Sequence, residues 1–519
     1  MHTGSSLGLF RFHQPNRTRF AWCALILISV WVFHFHVTQD QDPGSLFAHI
    51  EETADSWSTE ISNSIPWTTV TSKLKDWQWE NNHAGMGFDE INLPTQEQLQ
   101  PDPYTITTFK KIWLENEIGG PLTDAILAPI SNLCASVSWH DDVVLNMESS
   151  GGGLGNLRII ILDLIYFAMQ TGSHIILPGY IKRTEGTLYW NEKSNGNHSF
   201  SHLFDADFII STLGNACPQM HVFRSIEEAG FPSAVPELFS MMRSRTDKDA
   251  NTNTTALRAR LREWIDEKPE GYQDDARNMV TVEVPFITHD MRTKPRLRMA
   301  LGRLMKFNNQ VRTLAATAIF NLRRSRHLEE AIDPSQQIYQ EAYYGMHLRT
   351  EVDIGGDWES YKEQATTHLA MCKKLNLSLI YVAGGNQEHI EQFAIEAQQS
   401  GISVISKLDL LASGEEQAVF DASAFESLSW DQKGALDFEI LSRSSFFSGP
   451  AGSSFTWNVA LRRAFYIEDE RLDIVYAYGI NKIEPTVVYD DGLSRIAIKQ
   501  GSGDKVWLLE FDVPEGMYP

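Results

Sequence analysis

Between Gly434 and Arg463 the chain reads GALDFEILSRSSFFSGPAGSSFTWNVALRR. The pattern predicts a helix, a short buried strand, a turn through Gly449-Pro450-Ala451-Gly452, and a second helix opened by Ser453-Ser454-Phe455-Thr456. Residues of those types at a helix start suit an anion. Free backbone N–H groups and hydroxyls at the end of a parallel strand are where α/β proteins hold nucleotide phosphates. An N-cap alone needs one hydroxyl, and this turn carries several, with Gly449 and Gly452 beside them. Asp437 and Glu439, on the preceding helix, are placed for a ribose or base edge, or for solvent.

Three further groups of residues could do chemistry. His347-Leu348-Arg349 closes an apolar strand, and an Arg at a strand's C-terminal edge points into the nucleotide crevice, where its planar fork suits a diphosphate. The competing reading pairs Arg349 with Glu351 or Asp353 at the surface; Asp357-Trp358 follows in the same loop. Gly151-Gly152-Gly153-Leu154-Gly155-Asn156 lies between a strand and a helix, with Arg158 soon after. It lacks the Lys-Ser/Thr of a P-loop and does not fit G-x-G-x-x-G, so by itself it reads equally well as a structural turn. Asp205-Ala206-Asp207 has the D-x-D form that binds a divalent cation, but no long apolar strand delivers it, and a helix N-terminus or turn explains it better.

These residues need a frame. Asp142–Asn146 predicts a strand, Asn156–Ala168 a helix with apolar residues at i, i+3, i+4 spacing and Gly172 at its end, and His174–Leu177 a second strand. Tyr343–Leu348, Leu377–Val382 and Gly401–Ser406 predict further strands, separated by helices at Glu359–Lys374 and Glu388–Gln399. The segment from about Pro236 to Leu328 reads as helices that pack on a sheet or bridge two. Strands alternating with helices argue an α/β fold with parallel sheets. Two such regions predict two Rossmann-like domains facing across a cleft, the GT-B plan of glycosyltransferases.

The bulk numbers bound the rest. The chain has 519 residues, 42% hydrophobic and 21% charged, enough for two or three folded domains. With 44 basic against 67 acidic residues the net charge is −23, which argues against a nucleic-acid partner. Phe20–Val37 is apolar and free of Asp, Glu, Lys and Arg; Arg11, Arg17 and Arg19 precede it, and acids follow. This predicts a signal anchor with a cytosolic tail and a lumenal body, in preference to a cleaved signal peptide, since no small-x-small site closes the run. The expected divisions are a tail at 1–19, the anchor at 20–37, a stem at 38–133 with a helix near Thr105–Glu117, an N-terminal Rossmann-like acceptor-side domain at 134–335, and a C-terminal nucleotide-sugar domain at 336–519. Cys134, Cys217 and Cys372 allow one lumenal disulfide and one free thiol, and sequons at Asn197, Asn253 and Asn376 suit a secretory compartment, Golgi or endoplasmic reticulum.

Taken together in order, Gly153-Leu154-Gly155-Asn156-Leu157-Arg158, His347-Leu348-Arg349 with Asp353 and Asp357-Trp358, and Gly434-Ala435-Leu436-Asp437 leading to Ser453–Thr456 resemble the GDP-fucose protein O-fucosyltransferase family. Leu203-Phe204-Asp205-Ala206-Asp207-Phe208 is similar to that family's Phe-Asp element. The resemblance implies an inverting, metal-independent GT-B enzyme that moves fucose from GDP-fucose to a hydroxyl of a protein or glycan acceptor. It implies that Arg349 contacts the β-phosphate, and that Ser453, Ser454, Phe455 and Thr456 hold the diphosphate and nucleoside. Asp437 would then lie near guanine or ribose, and His347 would touch the nucleotide or set the Arg349 loop. Asn156 would face donor and acceptor, with Gly153, Gly155 and Arg158 on the same wall. Some members carry a general-base Glu three residues before the Asn; here that position is Gly153, and Glu148 is the nearby substitute, with base-free attack as the other route. Two alternatives stay open: a GT-B transferase for another nucleotide sugar or a glycan acceptor, and a non-catalytic binding protein with this fold.

Overall fold

The computed structural model describes residues 104–147, 151–185, 196–231, 238–240, 277–283, 294–351, 358–411, 422–466 and 487–497, with isolated positions between them and Tyr518. The anchor at Phe20–Val37, Glu148, Asp357 and the sequon at Asn253 lie outside the described residues.

Two sheets organise the body. The first runs β5-β2-β1-β7-β6, with β1 Val143–Met147, β2 His174–Ile176, β5 Val222–Phe223, β6 Leu238–Ser240 and β7 Asn278–Glu283, and every pairing is parallel. The second runs β10-β9-β8-β11-β13-β12, with β8 Tyr344–His347, β9 Leu379–Ala383, β10 Ser403–Ile405, β11 Phe446–Pro450, β12 Val487–Asp490 and β13 Ser494–Ala497. Only β12 with β13 is antiparallel there. A small hairpin, β3 Tyr180–Ile181 with β4 Asn197–His198, stands apart from both.

Strand order decides where a site can form. In the second sheet the chain lays down β8, β9 and β10 in one direction, then returns to place β11 on the other side of β8, in the register Phe446↔Tyr344 to Ser448↔Met346. Loops leaving β8 and β11 diverge there, and a crevice opens at the strand ends. The loop after β8 carries Arg349, and the one after β11 ends at Ser453, from which a helix opens at Ser454.

The helices bury what the sheets leave exposed. In chain order they are α1 Ile106–Glu115, α2 Asp124–Ala135, α3 Leu154–Thr171, α4 Ala206–Ala216, α5 Pro295–Gly302, α6 Asn309–Ser325, α7 Tyr361–Lys374, α8 Gln387–Gln398, α9 Lys407–Leu411, α10 Ala422–Glu426, α11 Trp430–Ser442 and α12 Ser454–Ala464. The expected helix near Thr105–Glu117 is α1, but Phe109 and Trp113 are buried in the main core, so the folded body reaches N-terminal of the boundary at 134. α3 is long and apolar enough to cross a membrane by length and composition, yet it is 94% buried inside the protein. Its periodicity, read from sequence as one apolar face, is an all-round core helix, and Gly172 ends it in the left-handed conformation. α6 packs against α1, α9 and α11 and so bridges elements of both regions.

Cys134 in α2 and Cys217, which caps α4, form a disulfide across 83 residues; Cys372 is free and buried. A loop of that length stabilises by about 4.5 kcal/mol in the chain-entropy account. The sequon residues Asn197 and Asn376 are both exposed.

Candidate active site

Ser453 is the N-cap of α12, and its side chain does not cap the helix. Among the described α-helices that open at a Ser, Thr, Asp or Asn this sets it apart: α1, α2, α4, α6, α7, α8 and α11 each start at such a residue whose side chain accepts from its own first turn. A residue of the right type that leaves its helix uncapped keeps its oxygen, and the helix's first N–H groups, for something else. The turn is held from behind by the Trp457 indole N–H, which donates to the Ala451 carbonyl at 2.9 Å.

The end of β8 lies directly beneath. His347 Nδ1 and Thr456 Oγ1 share a hydrogen bond of 2.8 Å, and Phe455 packs on the imidazole with ring centroids 4.7 Å apart. Burial, with Glu351 opposing and Arg349 reinforcing it, pushes the His347 pKa down to about 4, so the ring is neutral at pH 7.

Arg349, two residues on, sits between two carboxylates. It donates to Glu351 Oε2 at 2.5 Å and to Asp353 Oδ2 at 2.7 Å. Its backbone is fixed in both directions by Gln364, at 3.0 and 2.8 Å, and the Trp358 ring lies 5.6 Å from its guanidinium carbon. Burial would raise the Glu351 carboxyl, but the Arg349 charge and hydrogen bond hold it below the usual range. Glu351 Oε1 accepts from the Gly385 N–H at 2.7 Å, which ties the Arg349 loop to the end of β9. The pairing with Glu351 and Asp353 that the sequence offered as a competing reading is therefore real. It lies on the wall of a cavity and not at the open surface, and two of the five N–H donors are used.

That cavity, about 660 Å³, is bordered by Gly152, Gly153, Asn156, His347, Arg349, Asp437, Ser453, Ser454 and Phe455 from the residues singled out in the sequence. On α11, Trp430, Lys433, Gly434 and Asp437 form its wall at i, i+3, i+4, i+7 spacing. Asp437 accepts from the Tyr381 hydroxyl at 2.7 Å and pairs with Lys407 at 2.6 Å. Burial is the largest influence on this carboxyl and raises its pKa, against the pull of Lys407.

Three of the expected site residues are elsewhere. Arg158 is buried away from the cavity, donating to Asn458 Oδ1 and, at 3.3 Å, to the Gly302 carbonyl; Asn458 in turn donates to the Ser454 carbonyl at 2.7 Å. Arg158 thus fastens α3 to α12. Gly155 lies at their closest approach: a Cβ there would meet the Ser454 carbonyl carbon at 2.5 Å and the Phe455 nitrogen at 2.7 Å. Thr456 is fully buried and serves His347. The D-x-D residues are also accounted for: Asp205 caps α4 by accepting from the Phe208 N–H at 3.0 Å, and Asp207 pairs with Arg224.

Sequence reasoning missed Lys407, Lys433, Trp430, Arg183 and Glu185, all on the cavity wall. The α11 spacing signals two of them. Arg183 and Glu185 follow a two-residue strand and carry no periodic signal.

Residues 144–466, more than half of the chain, match the O-FucT family model, GDP-fucose protein O-fucosyltransferase. No curated protein sequence matches the chain. Among solved structures, POFUT1 in complex with GDP-fucose aligns with a TM-score of 0.40 at 10% identity, over 64% of this chain and 96% of that one. The fucosyltransferase NodZ from Bradyrhizobium aligns with a TM-score of 0.34 at 14% identity, over 62% and 93%. The family assignment rests on the match over residues 144–466.

Proposed function

The chain belongs to the GDP-fucose protein O-fucosyltransferase family, a GDP-fucose-dependent glycosyltransferase by that membership, and from this premise we propose how its cavity works. The diphosphate of GDP-fucose lies between Arg349 and the uncapped N-terminus of α12, where the hydroxyls of Ser453 and Ser454 and the first backbone N–H groups converge. Asp437 and Phe455 take the nucleoside, His347 supports that wall as a neutral ring, and Asn156 faces the sugar from the α3 side. Ser453, a capping residue that leaves its own helix uncapped beside Arg349, is the observation that carries this placement.

Charge gives the chemistry. When the anomeric C–O bond breaks, negative charge grows on the diphosphate and positive character on the sugar. Fixed donors already aimed at the diphosphate stabilise that change with no reorganisation, and no divalent metal is required. The acceptor hydroxyl attacks from the opposite face, with inversion. We place the body in the lumen of the Golgi or endoplasmic reticulum behind the anchor at Phe20–Val37, in a GT-B arrangement of two Rossmann-like domains, the first of them including α1 and α2, with a protein or glycan as acceptor. The disulfide and the exposed sequon residues support a secretory compartment.

Arg349→Lys tests the placement, because it keeps the charge and loses the fork. GDP release from GDP-fucose by the purified protein, measured with EDTA present, should fall about 10²- to 10³-fold in the variant. Turnover equal to wild type would remove Arg349 from the site, and abolition of wild-type turnover by EDTA would end the metal-free reading.

A further inference from the structure

The charges around the cavity pair off almost completely. Arg349 is held by Glu351 and Asp353, Lys407 by Asp437, and Arg183 by the buried Asp431, through Nε at 2.9 Å and Nη2 at 2.6 Å. Lys433 has the Phe425 ring 5.1 Å away as its partner. Among the described carboxylates on the wall, Glu185 stands in no ion pair and no hydrogen bond.

Its place on the wall gives this significance. Glu185 follows Arg183 by two residues on the chain leaving β3, and Arg183 Nη1 lies 3.6 Å from where a side chain at Gly153 would begin. Gly153 is the N-cap of α3, and it borders the cavity together with Asn156 of that helix. The space over the α3 N-terminus is therefore bordered by a guanidinium already committed to Asp431, and two residues further along the chain the same cavity wall carries an unpaired carboxylate.

We propose that Glu185 is the general base of the transfer. The inference rests on the inverting reading given above. In-line attack puts the base across the sugar from the leaving diphosphate, which removes Glu351 and Asp353, since both are bound to the residue that holds the leaving group. Asp437 is removed because both its oxygens are engaged by Tyr381 and Lys407. In the step itself, the acceptor O–H gives its proton to a Glu185 carboxylate oxygen as the acceptor oxygen bonds to the anomeric carbon. The bond from that carbon to the β-phosphate oxygen breaks, and its electron pair leaves with GDP.

Water is the acceptor for the test, which follows GDP release from GDP-fucose from pH 4.5 to 8 alongside GDP binding by calorimetry. Glu185→Gln should lower kcat about 10²-fold or more, leave GDP affinity and the KM for GDP-fucose within about twofold, and erase the acidic limb of the pH profile; Glu185→Asp should restore part of the rate and that limb. Glu185 is exposed, so the variant should fold as wild type does, and an unchanged melting temperature checks this. Wild-type rate and an intact acidic limb in Glu185→Gln overturn the proposal, as does loss of that limb in Glu148→Gln instead. A wild-type protein that binds GDP yet leaves GDP-fucose whole overturns the transfer reading, and with it Glu185 as its base.

Discussion

Two strand–turn–helix units meet at the cavity, and they are built from the same grammar with opposite contents. After β1 the chain turns through Gly152 and Gly153 and enters α3; after β11 it turns through Ala451 and Gly452 and enters α12. Neither helix has a side-chain cap. At α3 the reason is chemical, since Gly153 has no side chain to give. At α12 a serine is present and does not cap. The first terminus offers bare backbone, Asn156 and room; the second offers hydroxyls beside an arginine. Under the placement proposed above, the difference lies in what stands at the N-cap and the next position, while the fold around both is alike. The two termini are also fixed to one another, by Arg158 and Asn458 and by the absence of a Cβ at Gly155.

That fixing is the easiest part of the comparison to break. Gly155→Ala puts a methyl against the backbone of Ser454 and Phe455, which must shift because neither contact is a flexible side-chain end. Overpacking of this kind costs about 1–3 kcal/mol, and the displaced α12 terminus should lose GDP affinity by about 10²-fold, at the 1.4 kcal/mol per decade of binding. Gly153→Ala meets only an ordinary contact at 3.6 Å and should leave both melting temperature and GDP affinity near wild type. Equal effects of the two substitutions, by thermal melting and calorimetry, would show that the close approach does not position the phosphate turn.

The next test separates binding from capping. The double variant Ser453→Ala with Ser454→Ala removes two hydroxyls that form no hydrogen bond among the described residues. Its melting temperature should change little, while GDP affinity falls about tenfold, at roughly 1 kcal/mol per lost hydrogen bond with some compensation by water. Ser360→Ala, which breaks the capping box of α7, should do the reverse, costing about 1 kcal/mol of stability and leaving GDP binding alone. A double variant that melts early and binds normally would return Ser453 to an ordinary cap.

Much of this was legible in the sequence, and the exceptions share a cause. The turn after β11, the helix at Trp430–Ser442 and the strand ending at His347 are local patterns, and a strand end followed by Arg is enough to aim Arg349 at the cavity. Arg158 was misplaced because α3 is buried on all sides, so periodicity cannot say which face meets a ligand and which meets Asn458, 300 residues away. Arg183 and Glu185 were invisible because a two-residue strand has no measurable period, and Lys407 because it opens a helix of five residues. The free serine at α12 could be suspected from composition, but only the geometry separates it from the capping serines at positions 360 and 429.

The smallest expected effect concerns what lies under the two termini. Beneath α12 is His347, bonded to Thr456; the turn residues Gly152 to Asn156 at α3 include no titrating side chain. Burial lowers the His347 pKa from 6.5 to about 4 in the folded protein, so between those values the unfolded chain binds a proton that the folded chain refuses. The stabilisation is complete above pH 6.5 and is lost as pH falls from there toward 4, amounting to an order of 1 kcal/mol by pH 5.5. A positive charge at that point would also oppose the N-terminal end of the α12 dipole, which acts in the same direction. Other histidines, the buried His174 and His368 and the half-buried His198 and His202, are lowered too, so the test is a difference: the fall in melting temperature from pH 7 to 5.5 should be smaller in His347→Gln than in wild type. Identical slopes would mean that His347 titrates alike in the folded and unfolded chain; a larger fall in the variant would mean that His347 already carries its proton in the folded protein, making the wall beneath the turn cationic.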